Sequence, residues 1–426
     1  MTGLFRGVGR SLAAGASIAV VVALTACTTE ASVATLPYEQ VDGALPEATT
    51  EQLDAILAEA MGLAKASGAI AGVWAPWAGE WTTAVGTDGT DDGAAPLTTD
   101  TPFRIGTQSE SFACAVLLSL VDDGKVELSD PVVEYVDRVP GLDGITLGQL
   151  CHHTSGLGDY YGALKQTLVD NPARNWPQGE VLASGLASTR TGAPGEGYAA
   201  SRTDAVLLAL ALEQATGTSY ARLVDQYIAD PLQLDHTTLP SGSTPPVALG
   251  GWVAARGADG APICDAMHDM STLSTSGGGP AAGMVSTLDD MRTWSQASAS
   301  GVLVSESTAS DQWAGAVAMG PDAPSWKNRA LGADVYGPVR GWVGEVPGTL
   351  SASFTEPKTG LTVVVALDNS TAGPAFVQQL AFALASIGAR VAPEAGGQPP
   401  LIALPWSVDQ ALAAMRALEV CAPPAA

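Results

Sequence analysis

Thr107, Ser109 and Ser111 place three hydroxyls around one carboxylate, Glu110, in the run T-Q-S-E-S. Thr107 and Glu110 are three positions apart. On a helix that spacing puts both side chains on one face, the arrangement a nucleophile and its base require. Threonine carries an extra methyl that crowds attack, and a carboxylate is a weak base unless desolvation raises its pKa. Ser109 lies roughly 200° around a helix from Thr107, so it offers no substitute. The literal triplet Lys358-Thr359-Gly360 sits in E-P-K-T-G-L before an apolar strand and reads as a turn. The histidines are singles or the pair His152-His153, and no spacing in the sequence suits a metal, so neither metal nor cofactor is expected.

These residues need elements to position them. The segment Arg104–Val121 reads as a helix whose face Ala113, Val116, Leu117, Leu120 and Val121 is core. Ahead of it, Thr49 with Gln52 suggests a capping box for a helix reaching Ser67, and the runs 69–77 and 80–85 suggest a hairpin. Behind it, 205–214 and 219–228 read as helices. Strands are expected at 339–343, 349–354 and 361–367, then a helix at 374–387 and a last one capped by Ser407 with Gln410.

The order of motifs resembles the serine β-lactamase and penicillin-binding DD-peptidase superfamily, in its class C-like, β-lactamase-related branch. F-R-I-G-T-Q-S-E-S-F from Phe103 is similar to the family's F-R-I-G-S-x-x-K-x-F. I-T-L-G-Q-L-C-H-H-T-S-G-L from Ile145, P-G-E-G-Y-A-A-S-R from Pro194 and A-G-M-V-S-T-L-D-D from Ala282 extend the likeness. The resemblance implies an antiparallel sheet flanked by helices with an inserted all-α lobe and a site in the cleft between them. It also implies a degenerate site. The nucleophile is Thr107 and its lysine is Glu110. The Y-x-N motif has become Ala200-Ser201-Arg202, which removes a proton carrier. The H/K-x-G motif is Trp342-Val343-Gly344, with an indole where a cation or imidazole meets a substrate carboxylate; some family VIII carboxylesterases also carry Trp there. His153 corresponds to a structural histidine, and Tyr198 to an aromatic packing residue. Since the family's lysine approaches the second motif's Asn, Glu110 and Arg202 are expected to pair within ~4 Å.

At the N-terminus, Arg6 and Arg10 precede an apolar run from Leu12 to Leu24, too short for an ordinary span and typical of a signal peptide. Leu24-Thr25-Ala26-Cys27 resembles a bacterial lipobox, with Cys27 the lipidated residue; a plain secretory cut after Ala26 is the alternative. The expected organisation is a signal peptide at 1–26, a flexible tether at 27–48, and a β-lactamase-related domain at 49–390. Its α/β lobe comprises about 49–100 and 281–390 and its all-α lobe about 101–280; a linker and helix follow at 391–426. With 44 acidic and 19 basic residues the net charge is −25, which argues against nucleic acid and against docking on anionic lipid by charge. Cys114, Cys151, Cys264 and Cys421 then remain, as two disulfides in any of three pairings or as buried thiols.

The function expected is that of an extracytoplasmic, lipid-anchored, catalytically silent homologue that binds a cell-wall fragment, a small ligand or an envelope protein. Two alternatives stand beside it: a weak esterase or peptidase using Thr107 with Glu110, and a structural partner-binding module. An open, hydroxyl-lined cleft would favour ligand binding or catalysis, and a cleft filled by Trp342 and Arg202 would favour the module. Lipid attachment has its own check. Mass spectrometry of the mature protein should find a diacylated or triacylated Cys27, and Cys27→Ala should abolish detergent partitioning; an unmodified terminus would exclude the anchor.

Overall fold

A computed structural model of the chain describes residues 33–87, 94–240, 249–393 and 396–421; the expected leader and Cys27 lie outside them. The first amphipathic segment forms α1 (Glu47–Ala64), burying Leu53, Ile56, Leu57, Ala60 and Ala64. It begins earlier than the Thr49–Gln52 box implies. Pro46 occupies the N-cap with φ −52° and no side chain caps the helix, because proline's fixed φ and missing N–H already suit a helix entry.

The expected hairpin is β1 (Ala69–Ala75) and β2 (Gly79–Val85). Next come β3 (Phe103–Arg104), a 3-10 turn at Gly106–Gln108, and α2 (Ser109–Asp122). Thr107 therefore sits on the turn leading into the helix, not within it. The helical middle contains α3 (Leu147–His152), α4 (Tyr160–Asp170), α5 (Gln178–Ala187), α6 (Arg202–Thr216), α7 (Tyr220–Val224) and the short α8 (Asp230–Leu232). It is not all-α: a hairpin of β4 (Trp252–Arg256) and β5 (Pro262–Asp269) interrupts it. The short α9 (Gly279–Ala282), β6 (Val285–Ser286), α10 (Leu288–Ser300) and α11 (Glu306–Ala314) lead back to the sheet.

The sheet is completed by β7 (Val317–Ala318), β8 (Lys327–Ala330), β9 (Ala333–Tyr336), β10 (Val339–Val346), β11 (Thr349–Thr355) and β12 (Thr362–Leu367). Its eight strands run in the order β2-β1-β12-β11-β10-β9-β8-β7. The pairing of β1 with β12, Ala69 opposite Leu367, joins the two ends of the domain. Alternation of side chains across each strand feeds two cores. Ile70, Trp74, Val364 and Ala366 face the helical lobe with Phe112 and Trp294. Val73, Val363, Val365 and Leu367 face α1, α12 (Pro374–Gly388) and α13 (Val408–Arg416). The capping box on α13, Ser407 with Gln410, forms as expected. No helix among the described residues is long and apolar enough to cross a membrane.

The four remaining cysteines form two disulfides, Cys114–Cys151 and Cys264–Cys421, with Cα atoms 5.7 and 5.4 Å apart. The first joins α2 to α3; the second joins β5 to the chain end after α13. The Cys264–Cys421 bridge closes a span of 157 residues, so its loss should relax the unfolded chain more than the native one. Replacing both with Ser should lower unfolding free energy by about 2–5 kcal/mol, read from urea titration with disulfide mapping of the wild type. A change under about 0.5 kcal/mol, the size of an ordinary surface substitution, would contradict it.

Candidate functional site

Two glycines bring the Thr107 turn against β10. Gly106 has φ +58°, and a Cβ there would lie 2.7 Å from the Glu345 backbone; a Cβ on Gly344 would lie 2.1 Å from the Ile105 carbonyl. Only glycine permits this approach. Gln108, fully buried, fastens the turn below by donating from Nε2 to Ser351 Oγ at 2.7 Å and accepting from Ser353 Oγ at 2.5 Å.

The approach determines what the Thr107 hydroxyl can do. Thr107 Oγ1 donates to the Val343 carbonyl at 3.1 Å and accepts from the Glu345 N–H at 3.1 Å. Its proton points at a carbonyl, which is no base. The amide that could face a developing oxyanion is spent on the hydroxyl itself. Ser109 donates to the Gly106 carbonyl at 2.7 Å and Ser111 to that of Gln108 at 2.6 Å, so both hydroxyls stitch the helix entrance together.

Glu110 does not pair with Arg202. Its Oε2 lies 3.0 Å from His153 Nε2, while His153 Nδ1 lies 2.9 Å from Asp204 Oδ2. All three side chains are buried. Ser155 Oγ donates to the other Asp204 oxygen at 2.5 Å. Burial and the nearby Arg329 push the His153 pKa down, but the Glu110 and Asp204 carboxylates outweigh both and hold it raised to about 8. The imidazole is therefore protonated at neutral pH, held between two carboxyl groups. Burial pushes the Asp204 carboxyl upward. His153 is thus the group that answers the Glu110 carboxylate.

Arg202 turns the other way. Its Nη1 lies 2.9 Å from Asp159 Oδ2 and its Nη2 3.1 Å from Glu345 Oε2, with Lys165 Nζ 3.3 Å from Glu345 Oε1. The guanidinium also covers Tyr161, 3.7 Å from the ring centroid. Asp159 N-caps α4 by accepting from the Tyr161 N–H, which favours a carboxylate there. Trp342, 6% exposed, lies under Arg329, whose guanidinium carbon is 3.4 Å from the indole centroid. Arg329 is buried and paired with Asp334 at 2.9 Å.

Between these groups lies an open cleft of about 380 Å³ whose walls include Thr107, Glu110, Tyr198, Arg202, Trp342 and Glu345. Ala200 is exposed on its rim. Tyr198 is not core packing: it is half-buried on the cleft wall, edge-on to His153 with centroids 6.0 Å apart. Lys358 is exposed in the turn between β11 and β12, away from the cleft. Thr107, Glu110, Ala200, Arg202 and Trp342 do converge, with Gly344 allowing the approach beneath them. Asp159, Asp204, Arg329 and Glu345 escaped sequence reasoning. Asp204, two residues beyond Arg202 and adjoining a helix start, was the one a buried histidine could have pointed to. Among the described residues no group of three or more His, Cys, Asp or Glu side chains is placed to hold a metal ion.

A family model described as Beta-lactamase matches residues 53–388. The chain belongs to the Beta-lactamase family, which includes penicillin-binding relatives. It is similar to the D-alanyl-D-alanine-carboxypeptidase/endopeptidase AmpH of Escherichia coli (strain K12), 33% identical over 204 residues, or 46% of this chain and 49% of that protein. A D-aminopeptidase of Brucella anthropi is 29% identical over 47% of this chain and 36% of its own. The chain thus spans about half or less of the curated relatives it matches. Among solved structures, a D-stereospecific amidohydrolase from Streptomyces sp. superposes with a TM-score of 0.63 at 26% identity, covering 76% of this chain and 94% of that one.

The buried trio predicts a pH signature. His153 binds its proton more tightly folded than unfolded, so its stabilisation is complete below about pH 6.5 and is lost as pH rises through about 8. His152 is depressed to about 4, chiefly by burial, and favours folding as pH rises from about 4 to 6.5. Stability should therefore peak near pH 6.5 and fall by about 2 kcal/mol toward pH 9. His153→Gln should flatten the alkaline limb, and Glu110→Gln should shrink it, in thermal unfolding scans. An alkaline limb unchanged by either substitution would contradict the assignment.

Proposed function

We propose that this protein is an extracytoplasmic, Cys27-anchored member of its family that performs no acyl transfer and uses its cleft to bind a ligand. The observation that carries the reading is the fate of the Thr107 hydroxyl. Its hydrogen bonds go to Val343 and Glu345, while the carboxylate in the base position is held by His153. Acylation needs a deprotonated nucleophile, a proton carrier for the leaving group and donors for the oxyanion. Thr107 lacks the first, Ala200 cannot be the second, and the Glu345 amide is already engaged.

The open cleft favours ligand binding over a module that ignores it, since Trp342 and Arg202 form its walls rather than fill it. The names of the relatives, a D-alanyl-D-alanine carboxypeptidase and a D-aminopeptidase, suggest the ligand class: a short peptide carrying D-residues, released from or attached to the cell wall. The fixed ion pairs around Arg202 and Arg329 provide a polar, preorganised surface for such a backbone.

The experiment is incubation of wild type and Thr107→Ala with a fluorescent penicillin, followed by intact mass, with calorimetric titration of D-Ala-D-Ala peptides alongside. No adduct and no turnover are expected from either protein, and peptide binding should be retained in both. A stoichiometric adduct on wild type that vanishes in Thr107→Ala would replace this reading with a threonine hydrolase. Absence of peptide binding would remove the ligand class. Because the groups of such a site act together, Thr107→Ser alone should restore little.

A further inference from the structure

Behind the cleft wall lies a second, much smaller cavity of about 20 Å³, bounded by residues that include Arg104, Tyr161, Arg202, Ser274, Glu345 and Val346. Arg104 is 2% exposed. Its Nη2 donates to the Ser271 and Leu273 carbonyls at 2.8 and 3.1 Å, but its Nε and Nη1 have no acceptor. The Tyr161 hydroxyl and Arg202 Nε, on the same walls, are likewise buried without a partner. A buried N–H or O–H left unmet costs on the order of 1–3 kcal/mol, so several around one cavity call for a shared acceptor.

We propose that this cavity is a binding site for a monatomic anion, chloride in ordinary media. Size sets the first limit: the space suits about one water-sized sphere, too little for sulfate, phosphate or a carboxylate. Donor chemistry sets the second. The unpartnered Arg104 and Arg202 groups can only donate and the Tyr161 hydroxyl can donate with them, so an anion can accept from all of them, whereas a water has two lone pairs to offer. Charge sets the third. Arg202 is matched by Asp159 and by Glu345, which is also on the cavity wall, whereas Arg104 feels the charge of Asp269, an exposed residue of β5. Burial lowers its pKa to about 10, leaving it cationic and poorly compensated at neutral pH. Tyr161 is suited to donate: burial pushes its pKa upward, so it stays protonated. Its ring also lies beside the Arg202 and Lys165 cations, 3.7 and 5.1 Å from the centroid.

The site is separate from the cleft but shares Arg202 and Glu345 with it. Anion occupancy would therefore hold the ion-paired wall from behind. The proposal stands whether or not the cleft binds a peptide.

The test is thermal unfolding of the full mature protein in sodium chloride, sodium bromide and sodium gluconate at matched ionic strength, with a bromide-soaked crystal measured at the bromine edge. Chloride and bromide should each raise Tm saturably above gluconate, with an anomalous peak between Arg104 and Tyr161. Tyr161→Phe, which removes a single hydroxyl, should raise the halide midpoint roughly five- to tenfold. Arg104→Met should abolish the halide effect if it folds. Equal Tm in chloride and gluconate, with no bromine peak in the cavity, would overturn the proposal. A halide effect untouched by Tyr161→Phe, with bromine bound elsewhere, would overturn it too.

Discussion

A carboxylate buried on the first turn of α2 is the constraint the site is built around. Alone, Glu110 would carry a desolvation cost of several kcal/mol. The protonated His153 meets it, Asp204 meets His153, and Ser155 meets Asp204. Each member is tolerable only because the next is present. The backbone holds the chain of contacts in place: His153 ends α3 in the left-handed region at φ +53°, turning its ring toward α2. The Cys114–Cys151 disulfide staples the same two helices, one turn after Glu110 and two residues before His153.

The cleft is rich in charge but balanced. Arg202 is shared between two carboxylates, and Arg329 lies between Asp334 and the Trp342 ring. On β10 the Trp342 indole carries a cation from β8, Arg329, stacked on its face. That guanidinium spends Nε on the Cys151 carbonyl and Nη1 on Asp334, while its Nη2 has no partner. Glu110, Arg202 and Trp342 thus belong to one connected set of contacts.

Much of this was legible in the sequence. Long periodic segments such as α1, β1, β12 and α12 announce themselves, and the spaced motifs place Thr107, Glu110, Ala200, Arg202 and Trp342 around one cleft. The Glu110–Arg202 pairing failed because alignment gives positions, not the direction a long side chain takes. Arg202 reaches Asp159 and Glu345, which no motif marks. Strands β7 to β9 were missed because V-A, K-N-R-A and A-D-V-Y are too short and mixed to show alternation. The hairpin in the helical middle was missed because β5 leaves all eight of its residues exposed or half-buried, so no apolar run announces it.

The joining of β1 to β12 dictates an order of assembly. Ser67 donates its backbone N–H to Asp368 across 301 residues, and neither strand has its central neighbour until most of the chain exists. Closing so long a loop is entropically slow. Until then A-I-A-G-V-W-A of β1, buried along its whole length when folded, has only its hairpin mate β2 beside it and presents an unpaired apolar edge prone to aggregate. The helical middle has no such wait, since its disulfide closes over 37 residues. It can therefore consolidate first and serve as the surface on which the two distant ends of the chain meet.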